Sequence, residues 1–216
     1  MPKAGAEFVA NMEDVLEVYQ RPYDPLCPVV CIDETNKQFI KEERILCERG
    51  KSEKVDSVYV RNGVADVFMI SEPLAGRRET VVAVIRNAVD FAQILKYTSD
   101  VLYPCAEKIV LVTDNLNIHT TASLYKAFQP EEASRLANRF EWHYTPKHGN
   151  RLDMAEIEIG VMSRQALAKS FPDIESFKEQ VRIWTVKRNA ESRKINWQFT
   201  TTDARIKLAK LYPIVF

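Results

Sequence analysis

Pro28-Val-Val-Cys-Ile-Asp33 is an unbroken apolar run closed by a carboxylate, and Lys108-Ile-Val-Leu-Val-Thr-Asp114 has the same pattern further along the chain. A short β-branched run without polar alternation is the mark of a strand buried on both faces, as in a sheet covered by helices on either side. Before the first run, residues 7–20 place Phe8, Val9, Met12, Val15, Leu16 and Val18 at helical spacing. Arg21-Pro-Tyr-Asp-Pro ends that helix, because proline removes a donor and restricts the residue before it. Residues 41–54 are charged and read as an excursion. Residues 64–70 and 80–85 are β-rich runs joined by the turn-like Glu72-Pro-Leu-Ala-Gly-Arg-Arg, which predicts a tight antiparallel pair; residues 55–61 either pair too or simply lead in.

A helix is predicted over residues 89–103, with Phe91, Ile94 and Leu95 in the core, then helices over 123–128 and 131–139 and a short strand over 140–144. Helices over 153–169, 174–190 and 202–211 complete the chain. Early hairpin strands followed by alternating helices and strands give an α/β fold: a ribonuclease-H-like mixed five-stranded sheet flanked by helices, with extra C-terminal helices. A doubly wound nucleotide-binding fold would begin with parallel units and a Gly-rich first turn, and the chain contains neither G-x-G-x-x-G nor a P-loop.

The 216 residues suffice for one well-cored domain, and 46% hydrophobic with 28% charged residues is the balance of a globular protein rather than a disordered or membrane one. No apolar run approaches the roughly 20 residues of a membrane span. Met1-Pro-Lys-Ala-Gly lacks the basic start and apolar stretch of a signal peptide, so a cytoplasmic location is expected. Cys27, Cys31, Cys47 and Cys105 form no Cys-x-x-Cys pair and have no histidine cluster, which argues against structural zinc and for reduced thiols, with Cys31 and Cys105 in or near the core. Net charge is zero, yet residues 178–210 carry nine basic residues against three acidic ones. Such a segment either faces a polyanion or is a solvated helical surface.

Asp33 and Asp114 each end a buried-strand pattern, so both side chains would emerge where a strand leaves the sheet. If the strands are neighbours, the carboxylates stand side by side, which is costly without a cation. Glu156 lies early in the helix after the last strand, with Gly160 and Ser163 on its stripe, so that face could approach the sheet; Glu158 points about 200° away, beside Met162. Asp153, one turn before Glu156, is a substitute or helper ligand. Hard oxygen ligands suit Mg²⁺ or Mn²⁺, and two ions roughly 3.5–4 Å apart would serve in-line phosphodiester cleavage. Asp33 would bridge them while Asp114 and Glu156 each hold one. Taken singly, a strand-end Asp is more often a turn former or helix cap, and a Glu near a helix start can simply suit the dipole.

At this point the segments are familiar. Pro28-Val-Val-Cys-Ile-Asp-Glu-Thr-Asn-Lys-Gln resembles the first-aspartate segment of bacterial insertion-sequence transposases of the Tc/mariner superfamily. Asp114-Asn-Leu-Asn-Ile-His-Thr resembles their second-aspartate segment, and His143-Tyr-Thr-Pro-Lys-His-Gly, continuing to Leu152-Asp-Met-Ala-Glu-Ile-Glu, their third-acid segment. Asn196-Trp-Gln-Phe-Thr-Thr-Thr-Asp-Ala-Arg-Ile-Lys-Leu resembles their C-terminal ending. The resemblance implies a single DDE catalytic domain over residues 1–216, with Asp33, Asp114 and Glu156 as the triad and two Mg²⁺ (or Mn²⁺) ions. It implies hydrolysis at transposon inverted-repeat ends, then attack of the freed 3′-hydroxyl on target DNA. The implied partners are DNA, further copies of the chain on that DNA, and a helix-turn-helix module supplied by a separately encoded protein or frame; the implied place is the nucleoid.

Two departures stand out. The family's N-terminal helix-turn-helix modules are expected to be absent from this chain, and the third-acid segment, usually His-Gly-Ser-Trp-Leu-Asn, here reads His148-Gly149-Asn150-Arg151-Leu152-Asp153. The interval from Asp114 to Glu156 is on the long side, and the extra length falls in residues 130–139.

Asn115 and His119 could orient a metal water or phosphate; otherwise Asn117 caps the following helix and His119 is a surface histidine. Lys147 and His148 could contact phosphate. Arg182, Lys187, Arg188, Arg193, Lys194 and Lys207 could track a DNA backbone; Trp184 and Trp197 either stack on bases or, the more common use, pack in the core. The competing readings are a degenerate or truncated fragment that binds DNA or a partner without cutting, and another ribonuclease-H-like nuclease such as a junction resolvase.

Overall fold

The two apolar runs lie side by side. In a computed structural model, which describes residues 5–44, 57–147, 149 and 152–213, β1 (Val29–Arg44) and β4 (Ile109–Thr113) pair in parallel, from Val29 opposite Val110 to Ile32 opposite Thr113. β2 (Ser57–Glu72) runs antiparallel to β1, β3 (Arg77–Ala83) antiparallel to β2, and β5 (Phe140–Tyr144) parallel to β4. The sheet order is β3-β2-β1-β4-β5, the mixed five-stranded arrangement expected.

Alternation along each strand divides the apolar side chains between two cores. Val30, Ile32, Phe68, Ile70, Ile109 and Leu111 face α2 (Ala88–Tyr97), α3 (Thr121–Ala127) and α4 (Pro130–Arg139), and here Phe91, Ile94 and Leu95 are buried as expected. Cys31, Val67, Met69, Val110 and Val112 face α1 (Ala6–Tyr19), α5 (Met154–Gln165) and α6 (Ile174–Ala190). α7 (Thr201–Lys207) sets Ala204 against Met12 and Leu16 of α1. No helix among the described residues is long and apolar enough to cross a membrane.

Several boundaries differ from the sequence reading. β1 does not stop at Asp33. Only its pairing with β4 stops there; the strand continues to Arg44 because β2 supplies hydrogen-bond partners along its other edge. Residues 41–44 therefore belong to the β1–β2 arm, 57–61 do pair, and 45–56, the remainder of the expected excursion, lie outside the described residues. The helix expected over 89–103 becomes α2 plus a π-helical turn at Thr98–Leu102. α5 ends at Gln165, and α7 is followed by a 3-10 turn at Ala209–Leu211. Cys31 is buried, but Cys105 is exposed, since it lies in the turn before β4 rather than in the strand; both are free thiols, as is Cys27, and Cys47 is outside the described residues.

α5 is locked to the sheet by a buried ionic clasp. Glu158 receives Arg78 of β3 at 2.7 Å and Arg188 of α6 at 3.0 and 3.1 Å. The Arg78 and Glu158 side chains are 0% and 1% exposed. Arg78 also donates to the carbonyls of Gly76 and Arg193, and Asn189 brackets its main chain from α6. Removing Arg78 leaves the buried Glu158 with Arg188 alone and the Gly76 and Arg193 carbonyls without their donor, which costs about 1–3 kcal/mol. Arg78→Met is expected to lower stability by about that amount, read as a fall in the urea midpoint; a midpoint within the error of wild type would show that the clasp does not hold α5.

Candidate active site

Asp33 and Asp114 are the next residues after the last parallel pair, Ile32 opposite Thr113. By alternation they share the face of Cys31 and Val112, towards α5. Asp33 accepts the Glu34 N–H at one oxygen, 2.8 Å. Asp114 accepts the Leu116 N–H at Oδ1, 3.1 Å, and the same oxygen meets His119 Nδ1. The turn-former reading of Asp114 is thus correct as far as that oxygen goes. In both aspartates Oδ2 has no hydrogen bond among the described residues.

The third acidic segment arrives through a tightly tied loop. Tyr19 donates from its hydroxyl to the Leu152 carbonyl at 2.7 Å, and a Cβ at Gly149 would come within 2.8 Å of the Pro146 carbonyl oxygen, so this approach requires glycine. Asp153 then caps α5, accepting the Ala155 N–H at 2.8 Å with Oδ1, while its Oδ2 is buried with no partner. Each of the three aspartates therefore commits one oxygen to a local bond and leaves the other free.

Glu156 follows one turn later and is half-buried. The stripe formed by Glu156, Gly160 and Ser163 does not face the sheet, contrary to the sequence reading: all three are half-buried, and a Cβ at Gly160 would meet only the Arg164 guanidinium, at 3.4 Å. The sheet-facing stripe is Met154, Ala155, Glu158, Ile159 and Met162, because the apolar residues and the ion-paired Glu158 take the core side. Glu158 lies with Met162, as expected.

The acids are crowded enough to perturb one another. Burial, with the charges of Glu34 and Asp114, pushes the Asp33 carboxyl up to about 7 against the pull of the Glu34 N–H and His119. Burial, then the negative charges of Asp33, Asp114 and Glu156, pushes Asp153 well above the usual carboxylate range. The group is thus Asp33, Asp114 and Asp153, with Glu156 at its flank. The donors are hard oxygens with free lone pairs, which fits Mg²⁺ or Mn²⁺, although among the described residues no three ligating side chains stand close enough to enclose one ion.

His119 is buried rather than a surface residue, lying against Phe91 with ring centroids 4.3 Å apart. Burial opposes its charge, yet the carboxylates of Asp114 and Glu34 push it up to about 9. Glu34, which sequence reasoning passed over, is also buried and receives Arg86 at 3.1 Å. Its signal was available: it occupies the position after Val30 and Ile32 on the α2–α3 face, where a charge is out of place. Asn115 and Asn117 are exposed, and the residue capping α3 is Thr120, not Asn117.

The basic residues are not gathered at the acids. Lys147 is exposed in the turn after β5, and His148 lies outside the described residues, as do Asn150 and Arg151. Arg188 is taken up by Glu158. Arg182 pairs with Glu179, Arg193 with Glu191 and Lys207 with Asp203, all at the surface; Lys187 and Lys194 are exposed. The Ile195 N–H donates to the Pro73 carbonyl, so Arg193 and Lys194 sit by the β2–β3 turn, at the end of the parallel strands opposite Asp33 and Asp114. Trp184 packs in the core and donates to Gln165; Trp197 lies against Tyr19 with centroids 5.3 Å apart.

Residues 28–178 match the family model of the DDE superfamily endonucleases, a span that contains all four acids. Among solved structures, the chain is similar to the Mos1 mariner paired-end complex with Mn, at 16% identity and TM-score 0.54, covering 89% of this chain and 59% of that one. It is also similar to the Mos1 paired-end complex with Mg, at 14% identity and TM-score 0.59, covering 98% and 64%. A pre-cleavage Mos1 transpososome matches at 15% identity and TM-score 0.59, covering 100% and 67%. The chain thus spans about 59–67% of the length of these proteins, and the likeness establishes the ribonuclease-H-like fold. No curated protein matches the chain in sequence.

A carboxyl raised from 3.8 to about 7 gives stability that is complete below 3.8 and is lost as pH rises through about 7. In EDTA, Asp33→Asn is therefore expected to melt above wild type at pH 7.5 but level with it near pH 4. The gain should be several degrees, at roughly 2–4 °C per kcal/mol for a chain of this size. Equal melting temperatures at pH 7.5 would rule out the crowding of these acids.

Proposed function

The chain belongs to the DDE superfamily of endonucleases, and from that premise we propose that it is the catalytic domain of a cut-and-paste DNA transposase. What carries the proposal is the placement of Asp33 and Asp114 on adjacent strand positions, facing Asp153 at the start of α5, each with a free oxygen. Asp33, Asp114 and Asp153, with Glu156 at their flank, are the residues that would hold the divalent ions. A pair of Mg²⁺ or Mn²⁺ ions supplies positive charge to the attacking and leaving oxygens of an in-line phosphodiester displacement.

The chain's own contribution is positioning. Backbone N–H groups and His119 pin one oxygen of each aspartate, which leaves the other aimed at the shared space and reduces the ordering that binding would require. The substrate would be DNA at transposon ends, cut by water, and then target DNA attacked by the freed 3′-hydroxyl. The fold's likeness to mariner complexes described as paired-end supports DNA as substrate and more than one copy acting together. The exposed Lys147, Lys187, Lys194 and Arg182 would meet the DNA backbone; end recognition would come from a helix-turn-helix module on this or a separate chain. The place of action would be the cytoplasm, on nucleoid DNA.

One observation favours a second reading, a fragment that binds DNA without cutting: the acids do not enclose an ion as they stand. Nicking of supercoiled plasmid separates the two. The chain is expected to nick in Mn²⁺ or Mg²⁺ and not in EDTA, and Asp114→Asn to fall to the enzyme-free background. Nicking that survives Asp114→Asn would remove the site from consideration; an intact chain that neither nicks nor takes up Mn²⁺ would favour the fragment.

A further inference from the structure

Glu34 bears on both aspartates, on Asp33 directly through its backbone and on Asp114 only by way of His119. Its main-chain N–H donates to Asp33 Oδ1 at 2.8 Å. Its side chain leaves by the opposite face of β1, where it is 1% exposed, and brings Oε2 within 3.0 Å of His119 Nε2. That approach is off line for a hydrogen bond, and both atoms are buried without another partner. The other ring nitrogen, Nδ1, meets Asp114 Oδ1 and lies 3.1 Å from the Thr113 hydroxyl. Arg86, 43% exposed, closes the series from the surface by donating to Glu34 Oε1.

A carboxylate on the apolar Val30–Ile32 side of the strand is expensive to bury, and packing alone would be served better by an aliphatic residue. Thr113 and Phe91 already seat the imidazole. What Glu34 adds is a fixed direction for the ring and, through it, for Asp114. We infer that Glu34 is a positioning residue that, acting through His119, sets the Asp114 carboxylate for a divalent cation while its own backbone sets Asp33. The inference rests on the metal reading of Asp33 and Asp114 given above. Groups that orient a ligating side chain in this way typically change metal affinity by about 10–100-fold when removed.

The test is a Mn²⁺-binding cycle on the whole chain, by calorimetry, with the melting temperature in EDTA recorded for every variant. Glu34→Gln and His119→Asn are each expected to raise the Mn²⁺ Kd about 10–100-fold. Combined, they should do no more than the larger single change, because the effect of Glu34 passes through His119. Asp114→Asn tests the metal reading itself and should abolish binding at this site.

A folded Glu34→Gln with wild-type Kd, or one whose effect persists in full on the His119→Asn background, overturns the inference while leaving the metal reading intact. An Asp114→Asn with wild-type Kd overturns both. If Glu34→Gln does not fold, ¹⁵N spectra of the unaltered protein decide. Mg²⁺ addition should move the His119 ring nitrogens more than those of His143, which Asp14 and Glu141 hold beside β5. A His119 ring that ignores Mg²⁺ overturns the inference.

Discussion

Carboxylates gathered at one end of a parallel strand pair repel each other, and the rest of this molecule is arranged so that they stay there. The repulsion is visible in Asp33 and Asp153, both pushed above the ordinary carboxylate range by burial and by neighbouring negative charge. Strong framework constraints are needed to hold such a group together. The constraints are the fixed register of Ile32 on Thr113, the cap that ties Asp153 to the first turn of α5, and the histidine that grips Asp114. A framework that fixes these side chains in place lowers the ordering that ligand binding would require.

The Arg78–Glu158–Arg188 clasp belongs to the same economy of position. α5 carries Asp153 and Glu156, and its rotation about its own axis decides whether they face the strand ends. Glu158, two residues beyond Glu156 and on the core side, is bonded to β3 and to α6. The two glutamates thus divide the helix: one is fully paired and sets its rotation, and the other is left on the flank. A buried ion pair adds little net stability over a well-packed apolar contact, but it is directional, and direction is what the acids require of α5.

The parts legible in the sequence were those governed by local pattern. Val29–Ile32 and Ile109–Thr113 read as buried strands because both of their faces are covered, and the β2–β3 hairpin because its Pro-Gly turn is local chemistry. The arm beyond Asp33 was not legible: it is paired along one edge, most of its β1 residues are polar, and its partner strand follows the undescribed residues 45–56, so neither period nor turn announces it. Arg188 looked like a free cation because nothing local reveals that Glu158, thirty residues earlier, claims it. The Glu156 stripe was misassigned for a related reason. Small residues suggested close approach, but the ionic clasp, a long-range contact, chose the other face. Asp33, Asp114 and Asp153 could be singled out because strand ends and helix starts are local features; the place of Glu34 depends on a tertiary contact with His119.

Asp153 is where this chain departs from the segment it resembles, and the departure has a physical sense. Asparagine and aspartate cap a helix about equally well, so the cap alone does not explain the acid. A cap contributes about 1 kcal/mol, whereas desolvating an ionised carboxylate costs several; on stability alone, the neutral amide is the better choice. The buried Oδ2, unpartnered and facing Asp33 and Asp114, is the oxygen that the amide would lack in charged form. Its presence raises the repulsion among the acids and, by the same electrostatics, the attraction they exert on a cation. Asp153 sits at the N-cap of α5, where the helix N-terminus offsets part of that cost.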